Sequence, residues 1–346
     1  MVMELPITQT KSWQILQNDL NEQSFFEQND NYQFLAIKKH TPAGNYLYLP
    51  YGPVADSPSN MKKAISHLEK LAQTENCVFI RIEPQLEHPE KYLPKTAKKT
   101  KDLSPKETWL LNLTGSDEDL KARLPSRLLR YYRNHEKQGI TIRTSKDPND
   151  IKYLLSLQQA LASKKGINTF SEEYLQTELK QPFATLYLVE YDVANEALHQ
   201  RVTGQEGAPQ NVLRSKNFGG GEDPAGPAER MIAAGLVFDH GKTRYNLQGA
   251  QTEDGRKLHA TGILTIKLIL DAKAKGQEIF DFWGIAPEDA PDDHPWKGFT
   301  AFKKTFAGYE KDYAGTYDIV LQSAKYKLYK LLRKANRTTA KLKSSH

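Results

Sequence analysis

The feature that most constrains this chain is a pattern that occurs twice. Residues 46–54 read as a strand ending in the turn Pro50-Tyr51-Gly52-Pro53. A helix follows, with Met61, Ile65, Leu68 and Leu71 on one face, and then CVFIRIEP at 77–84 reads as a second strand. Residues 244–250, a helix over 261–275 and EIFDFWGI at 278–285 repeat that order. Helical spacing between two extended runs predicts a strand–helix–strand unit. Two such units predict a duplicated α+β domain. The echo is one of pattern and not of residue identity. A chain of 346 residues is long enough for two cores. The change of domain is expected near Asp147-Pro148-Asn149-Asp150. Domain one is then 1–150, completed by a C-terminal helix at 320–346, and domain two is 151–319.

Composition narrows the class. Hydrophobic residues make up 38% and charged residues 26%, which suits a soluble globular protein. No apolar run of about 18 residues is present, so no transmembrane helix is expected. The opening MVMELPITQTKSW lacks the pattern of a signal peptide. Cys77 is the only cysteine, so neither an internal disulfide nor a cysteine-based metal site is expected, and a cytoplasmic setting fits. The nine histidines are scattered without ligand spacing. Neither metal nor cofactor is expected, and no GxSxG or Rossmann fingerprint is found. The Gly- and Pro-rich segment 204–227 lacks the GK[ST] ending of a P-loop and reads as a hairpin excursion. The net charge is +6. The basic excess gathers at 91–106 and at 325–343, the latter with eight basic residues and no acid. Such segments attract polyanions: nucleic acid, phosphorylated substrates or an anionic membrane.

Candidate chemistry centres on 278–308. A strand with Asp281 and Trp283 closes at Gly284. An acidic, proline-containing loop follows, and then Trp296, Phe299, Phe302 and Phe306 recur at helical spacing around Lys303 and Lys304. Aromatic groups that exclude water beside a lysine suit stabilisation of a developing negative charge. The same spacing also suits an ordinary core, and two lysines an ordinary solvated face. Asp281 reads as a general base or as a hydrogen-bonding brace. Ser116 offers an N-cap with acids in the first turn. A helix over 124–139 carries Arg127, Arg130, Arg133 and Lys137, either an anion-binding face or a basic surface.

Several short motifs occur in a characteristic order: YLPYGPV (48–54), FIRIEP (79–84), TWLLNL (108–113), EKQGI (136–140), DFWGI (281–285), HPWKG (294–298), FKKTFAG (302–308) and YAGTYDIVL (313–321). Together they resemble the FemABX peptidyltransferases over nearly the whole chain. The resemblance implies two tandem GNAT-like domains, here without the coiled-coil arm of some members. It implies transfer of an amino acid from aminoacyl-tRNA onto a stem-peptide amine of a peptidoglycan precursor. That precursor is either lipid II or UDP-MurNAc-pentapeptide. The family's FK pair falls on Phe302 and Lys303, which makes Lys303 the oxyanion-stabilising candidate and Lys304 the second. Tyr174 matches a tyrosine near the precursor's phosphates. Tyr48, Tyr51, Tyr245, Trp283, Trp296 and Lys304 complete the expected substrate-binding set. Arg127, Arg130, Arg133 and Lys137, with 91–106, are the expected tRNA contacts. Two positions depart from members that use the UDP precursor: Phe170 replaces a phosphate-binding arginine and Gln17 a substrate-binding lysine. The basic C-terminal segment is expected to cap domain one, to rest on anionic lipid at the inner membrane face, or both. A monomer is expected. Rival readings are an acyl-CoA-dependent N-acyltransferase and a non-catalytic GNAT-like RNA- or envelope-binding protein.

Overall fold

The computed structural model describes residues 5–165, 169–192 and 229–343. Its elements run α1 (Lys11–Asp19), β1 (Ser24–Gln28), β2 (Tyr32–Lys39), β3 (Asn45–Leu49), β4 (Val54–Ala55), α2 (Pro58–Thr74), β5 (Cys77–Ile82), α3 (Pro89–Tyr92) and β6 (Lys98–Lys99). They continue with β7 (Glu107–Asn112), α4 (Asp117–Arg123), α5 (Ser126–Arg133), β8 (Ile140–Ser145), α6 (Ile151–Lys165), α7 (Glu172–Lys180), β9 (Ala184–Asp192), β10 (Glu229–His240) and β11 (Thr243–Gln251). Then come α8 (Glu253–Lys257), α9 (Ala260–Ala274), β12 (Ile279–Gly284), α10 (Lys297–Lys304), β13 (Tyr309–Asp312), β14 (Tyr317–Val320) and α11 (Ser323–Lys343). The excursion expected at 204–227 lies outside the described residues.

The chain forms two compact units, 1–107 with 311–346, and 108–310. The change therefore falls at Glu107/Thr108 and not near Asp150. The reason is pairing: β7 hydrogen-bonds to β12 and β8 to β9, so 108–150 belongs to the second sheet. The C-terminal helix joins the first unit.

In the first unit the strand order is β1-β2-β3-β5-β14-β6, with β4 on β2. The pair β3–β5 is parallel, and α2 is its crossover. Ser57 caps α2 by accepting from Asn60 N, with Pro58 in the first turn, where its missing N–H and fixed φ cost nothing. Met61, Ala64, Ile65, Leu68 and Ala72 face inward. All of β5 is buried, because α2 packs on one side of it and Tyr326 and Tyr329 of α11 on the other. A strand covered on both faces reads as a near-continuous apolar run, which is how CVFIRI reads apart from Arg81. The segment 91–106 is more structured than a mobile loop: β6 pairs with β14, and Lys106 bonds Asp312 at 2.7 Å.

The second unit is ordered β13-β7-β12-β11-β10-β9-β8. Here β11–β12 is the parallel pair, with α8 and α9 between them in the chain. The core joins Leu111, Val189, Val237, Ile263, Ile266 and Phe280. Ser116 and Asp119 form a reciprocal cap on α4, as their spacing predicts. The basic helix is shorter than its pattern. It stops at Arg133, and Lys137 lies in a separate 3₁₀ turn closed by Gly139 at φ 67°. The short strand β1 was not signalled by the alternation around it. The expected α+β class with two GNAT-like domains describes both sheets. Among the described residues no helix is long and apolar enough to cross a membrane.

Candidate functional site

The site is built where β12 ends. The strand runs parallel to β11 and antiparallel to β7, but its register with β7 slips between Asp281 and Gly284. Bulges of this kind re-aim side chains and backbone groups. Trp283, inside the slip, adopts φ 66°, a left-handed conformation that costs a bulky residue free energy and clusters at functional sites. Asp281 holds it there. Its Oδ1 accepts from Trp283 N at 2.7 Å and from Thr108 Oγ1 on the neighbouring strand.

The displaced carbonyls receive Lys303. Its Nζ donates to Gly284 O at 2.5 Å and to Trp283 O at 3.4 Å. The lysine stands on α10, whose position is fixed from two sides. Thr300 Oγ1 accepts from Ala286 N at 2.8 Å and donates to Trp296 O at 2.9 Å. Phe306, fully buried, packs on Phe282 and takes a hydrogen bond from Trp109 Nε1 at its carbonyl, 3.1 Å. A side chain at Gly308 would collide with the backbone of Leu110, so the FAG turn needs its glycine.

Burial displaces both charges of this site. It lowers the Lys303 ammonium to about 8, with Asp281 pulling the other way. It raises the Asp281 carboxyl to about 6, opposed by the Thr108 and Trp283 hydrogen bonds and by Lys303. Near pH 7 the lysine is therefore largely protonated and the aspartate largely ionised. A cation in a water-poor place, bonded only to neutral carbonyls, can strengthen its interaction with an arriving oxyanion.

The expected site residues fall into several groups. Tyr245 lies edge-on to Trp283 at 6.1 Å, so these two join Lys303. Phe302 packs edge-on against Phe306 at 5.5 Å. Lys304 points elsewhere, pairing with Glu310 at 3.0 Å and lying 5.5 Å from the Trp109 ring. Trp296 packs edge-on to His294. Tyr174 bonds to Glu178, which also accepts from Gln248 Nε2 at 2.8 Å. Burial raises the Glu178 carboxyl to about 8. Phe170 is half exposed and stacks on Tyr174 at 4.7 Å. Gln17 is buried in α1.

Tyr48 and Tyr51 belong to the first unit. Tyr48 Oη donates to Glu83 Oε2 at 2.8 Å, and Tyr51 Oη to Pro105 O at 2.9 Å. Glu83 Oε1 accepts from Leu103 N, Ser104 N and Thr316 Oγ1. The cavity beside them, lined by Tyr51, Glu83, Lys106 and Tyr313, measures ≈ 10 Å³, room for about one water.

On α5, Arg127, Arg130 and Arg133 are exposed. The Arg127 and Arg130 guanidinium groups lie 5.5 and 5.7 Å from the Tyr131 ring, and His259 stacks on Tyr131 at 4.3 Å. Glu178 and Thr108 were not anticipated. Glu178 stands four residues after Tyr174, one helical turn away, which was the available signal. Thr108 opens the TWLLNL motif, but nothing local points to its role, because its partner Asp281 is far along the chain.

The fold defines a tandem GNAT-like protein. Its class is narrowed by comparison with known proteins. Residues 194–334 match the model of the FemAB family, so the FemABX resemblance read from the motifs holds over this C-terminal part of the chain. The structure of FemX superposes with a TM-score of 0.71 at 17% identity, covering 93% of this chain and 94% of FemX. The C-terminal domain (DUF2156) of a putative lysylphosphatidylglycerol synthetase from Agrobacterium fabrum superposes at 0.55 with 12% identity, over 93% and 92% of the two chains. L-PGS from Bacillus licheniformis gives 0.53 at 12%, over 96% and 99%. At these identities the likeness is one of fold. No curated protein matches the sequence. Fold and family match together support an acyltransferase.

Proposed function

We propose that the chain is a tRNA-dependent aminoacyltransferase that adds an amino acid to the stem-peptide amine of a peptidoglycan precursor. The observation that carries this reading is the Lys303 ammonium, held against the carbonyls of Trp283 and Gly284 at the slip in β12.

In this reading the acceptor amine attacks the ester carbonyl of the aminoacyl-tRNA. A C–N bond forms and the carbonyl electron pair moves to oxygen. Lys303 stabilises that oxyanion. The intermediate collapses, the bond to the ribose oxygen breaks, and the amine's proton passes to that oxygen. The ester is already activated, so positioning and charge stabilisation supply the catalysis. Phe302 seats the helix turn that carries Lys303. Tyr245, Trp283, Trp296, Tyr174, Tyr48 and Tyr51 are the proposed substrate contacts. Arg127, Arg130, Arg133 and Lys137 are the proposed contacts to tRNA phosphates. Phe170 and Gln17 replace charged groups expected for a UDP-linked precursor. They leave a lipid-linked or an altered acceptor more open than a UDP-linked one; a lipid-linked acceptor would be met by peripheral contact with the inner membrane face.

The test is transfer of labelled amino acids from a mixture of aminoacyl-tRNAs to lipid II and, separately, to UDP-MurNAc-pentapeptide. Label that ribonuclease abolishes is the expected outcome. No label on either acceptor from a folded protein would overturn the reading and favour an acyl-CoA donor or a binding role.

A further inference from the structure

Helix α11 has two unlike faces. Tyr326 and Tyr329 point inward, onto Phe79 and Arg81 of β5. At 100° per residue, Leu328, Leu331, Leu332 and Ala335 form a stripe on the opposite side. The three leucines are 46%, 66% and 38% exposed, and all three are among the most exposed large apolar side chains of the described residues. Lys327 and Lys334 flank the stripe on one side and Lys325 on the other, all exposed. A helix needed only to cap β5 requires its tyrosine face. Nothing in that role accounts for three leucines turned outward between lysines.

We propose that this outward face of α11 is a docking surface for an anionic lipid bilayer, with the leucines entering the headgroup–acyl boundary and the lysines meeting lipid phosphates. The pattern is that of an interfacial helix: an apolar stripe, basic flanks and no acid from 323 to 343. Charge complementarity selects the bilayer. A second copy of this chain would set lysines against lysines, and a nucleic acid would leave the leucines uncovered. The inference rests on the reading above only for its purpose, which is to bring the enzyme to a lipid-linked acceptor.

The experiment is co-sedimentation of the full chain with phosphatidylcholine vesicles, with and without phosphatidylglycerol, at low and high salt. Size-exclusion chromatography and thermal unfolding run alongside. The wild type should bind the phosphatidylglycerol vesicles and release with salt. A Leu328→Ser/Leu331→Ser/Leu332→Ser variant should lose at least about tenfold in binding, and Lys325→Glu/Lys327→Glu a comparable amount. Both should keep the wild-type unfolding midpoint, since the Tyr326 and Tyr329 face is untouched. Both should also keep wild-type transfer to a water-soluble stem-peptide acceptor. No vesicle binding by the wild type, or equal binding by the leucine variant, would overturn the proposal. So would a leucine variant that changes only oligomeric state, or charge reversals that weaken only tRNA binding. Vesicle binding without transfer to any acceptor would instead sink the enzymatic reading and leave the surface standing.

Discussion

The strands β5 and β12 occupy the same place in their two units, each following a crossover helix and closing a parallel pair. They treat buried charge in opposite ways. The register of β5 with β14 is unbroken from Phe79 to Ile82. On it, Arg81 meets Asp318 through two hydrogen bonds of 2.7 and 2.8 Å, with both side chains essentially sealed from solvent. Tyr326 donates to the same carboxylate, and Arg81 also bonds Tyr329. Burial works against the Arg81 charge, but the Asp318 hydrogen bonds outweigh it and hold its pKa above the ordinary value. In β12 the register slips, and burial wins: Asp281 and Lys303 are both pushed toward neutrality. A saturated charge pair is fixed across the working pH range and serves the fold. Two desolvated charges that do not meet in an ion pair titrate within that range and are available to chemistry.

The sharpest way to break this comparison is Asp318→Ala. It strands the Arg81 cation, and unfolding in denaturant should show a loss of about 3–5 kcal/mol. A loss under about 1 kcal/mol would mean that the pair is not what holds β5, β14 and α11 together. Lys303→Ala should do the reverse. Transfer should fall by about 10²–10³, about 2.7–4 kcal/mol of transition-state stabilisation, with the unfolding midpoint unchanged. Surviving activity would remove Lys303 from the mechanism, and an unfolded variant would make it structural like Arg81.

The pH profile sharpens the contrast next. With the lysine needed as a cation and Asp281 as an anion, transfer should be greatest between about 6 and about 8 and fall on both sides. In Asp281→Asn the carboxylate that favours the ammonium is gone, so the alkaline limb should move to lower pH. An unmoved limb would show that it belongs to another group. Glu178→Gln probes a second raised carboxyl. In the fold Glu178 keeps its proton up to about 8, against an ordinary 4.5. The folded state thus binds the extra proton between those values, and stability should decline as pH rises from about 4.5 to about 8. The variant should flatten that decline in thermal midpoints compared at pH 5 and pH 9. The smallest effect belongs to Lys304→Met. Its pair with Glu310 is 38% and 35% exposed, and such pairs contribute about 0–1 kcal/mol. A transfer loss near that of Lys303→Ala would reassign the catalytic role.

Much of this was legible in the chain itself. Period-2 and period-3.6 patterns are local, so CVFIRI, EIFDFWG and the helices between strands declared themselves, as did the Ser57 and Ser116 caps. The lysine pair after Phe302 was visible too, and the family resemblance ranked Lys303 first, but no local pattern says which lysine turns inward. That depends on the β12 slip, which aims the Trp283 and Gly284 carbonyls at Lys303 and leaves Lys304 to Glu310. The domain boundary was misplaced for a related reason: β7 pairs with β12, about 170 residues later, and no local pattern records such a partner. The sequence alone determined the two strand–helix–strand units, the basic segments and the candidate residues, because periodicity, capping and charge act over a few residues. The tertiary structure alone decided that Arg81 is saturated and Lys303 is not, because a charge's hydrogen-bond partners and its distance from water are set by strands that meet only in the fold.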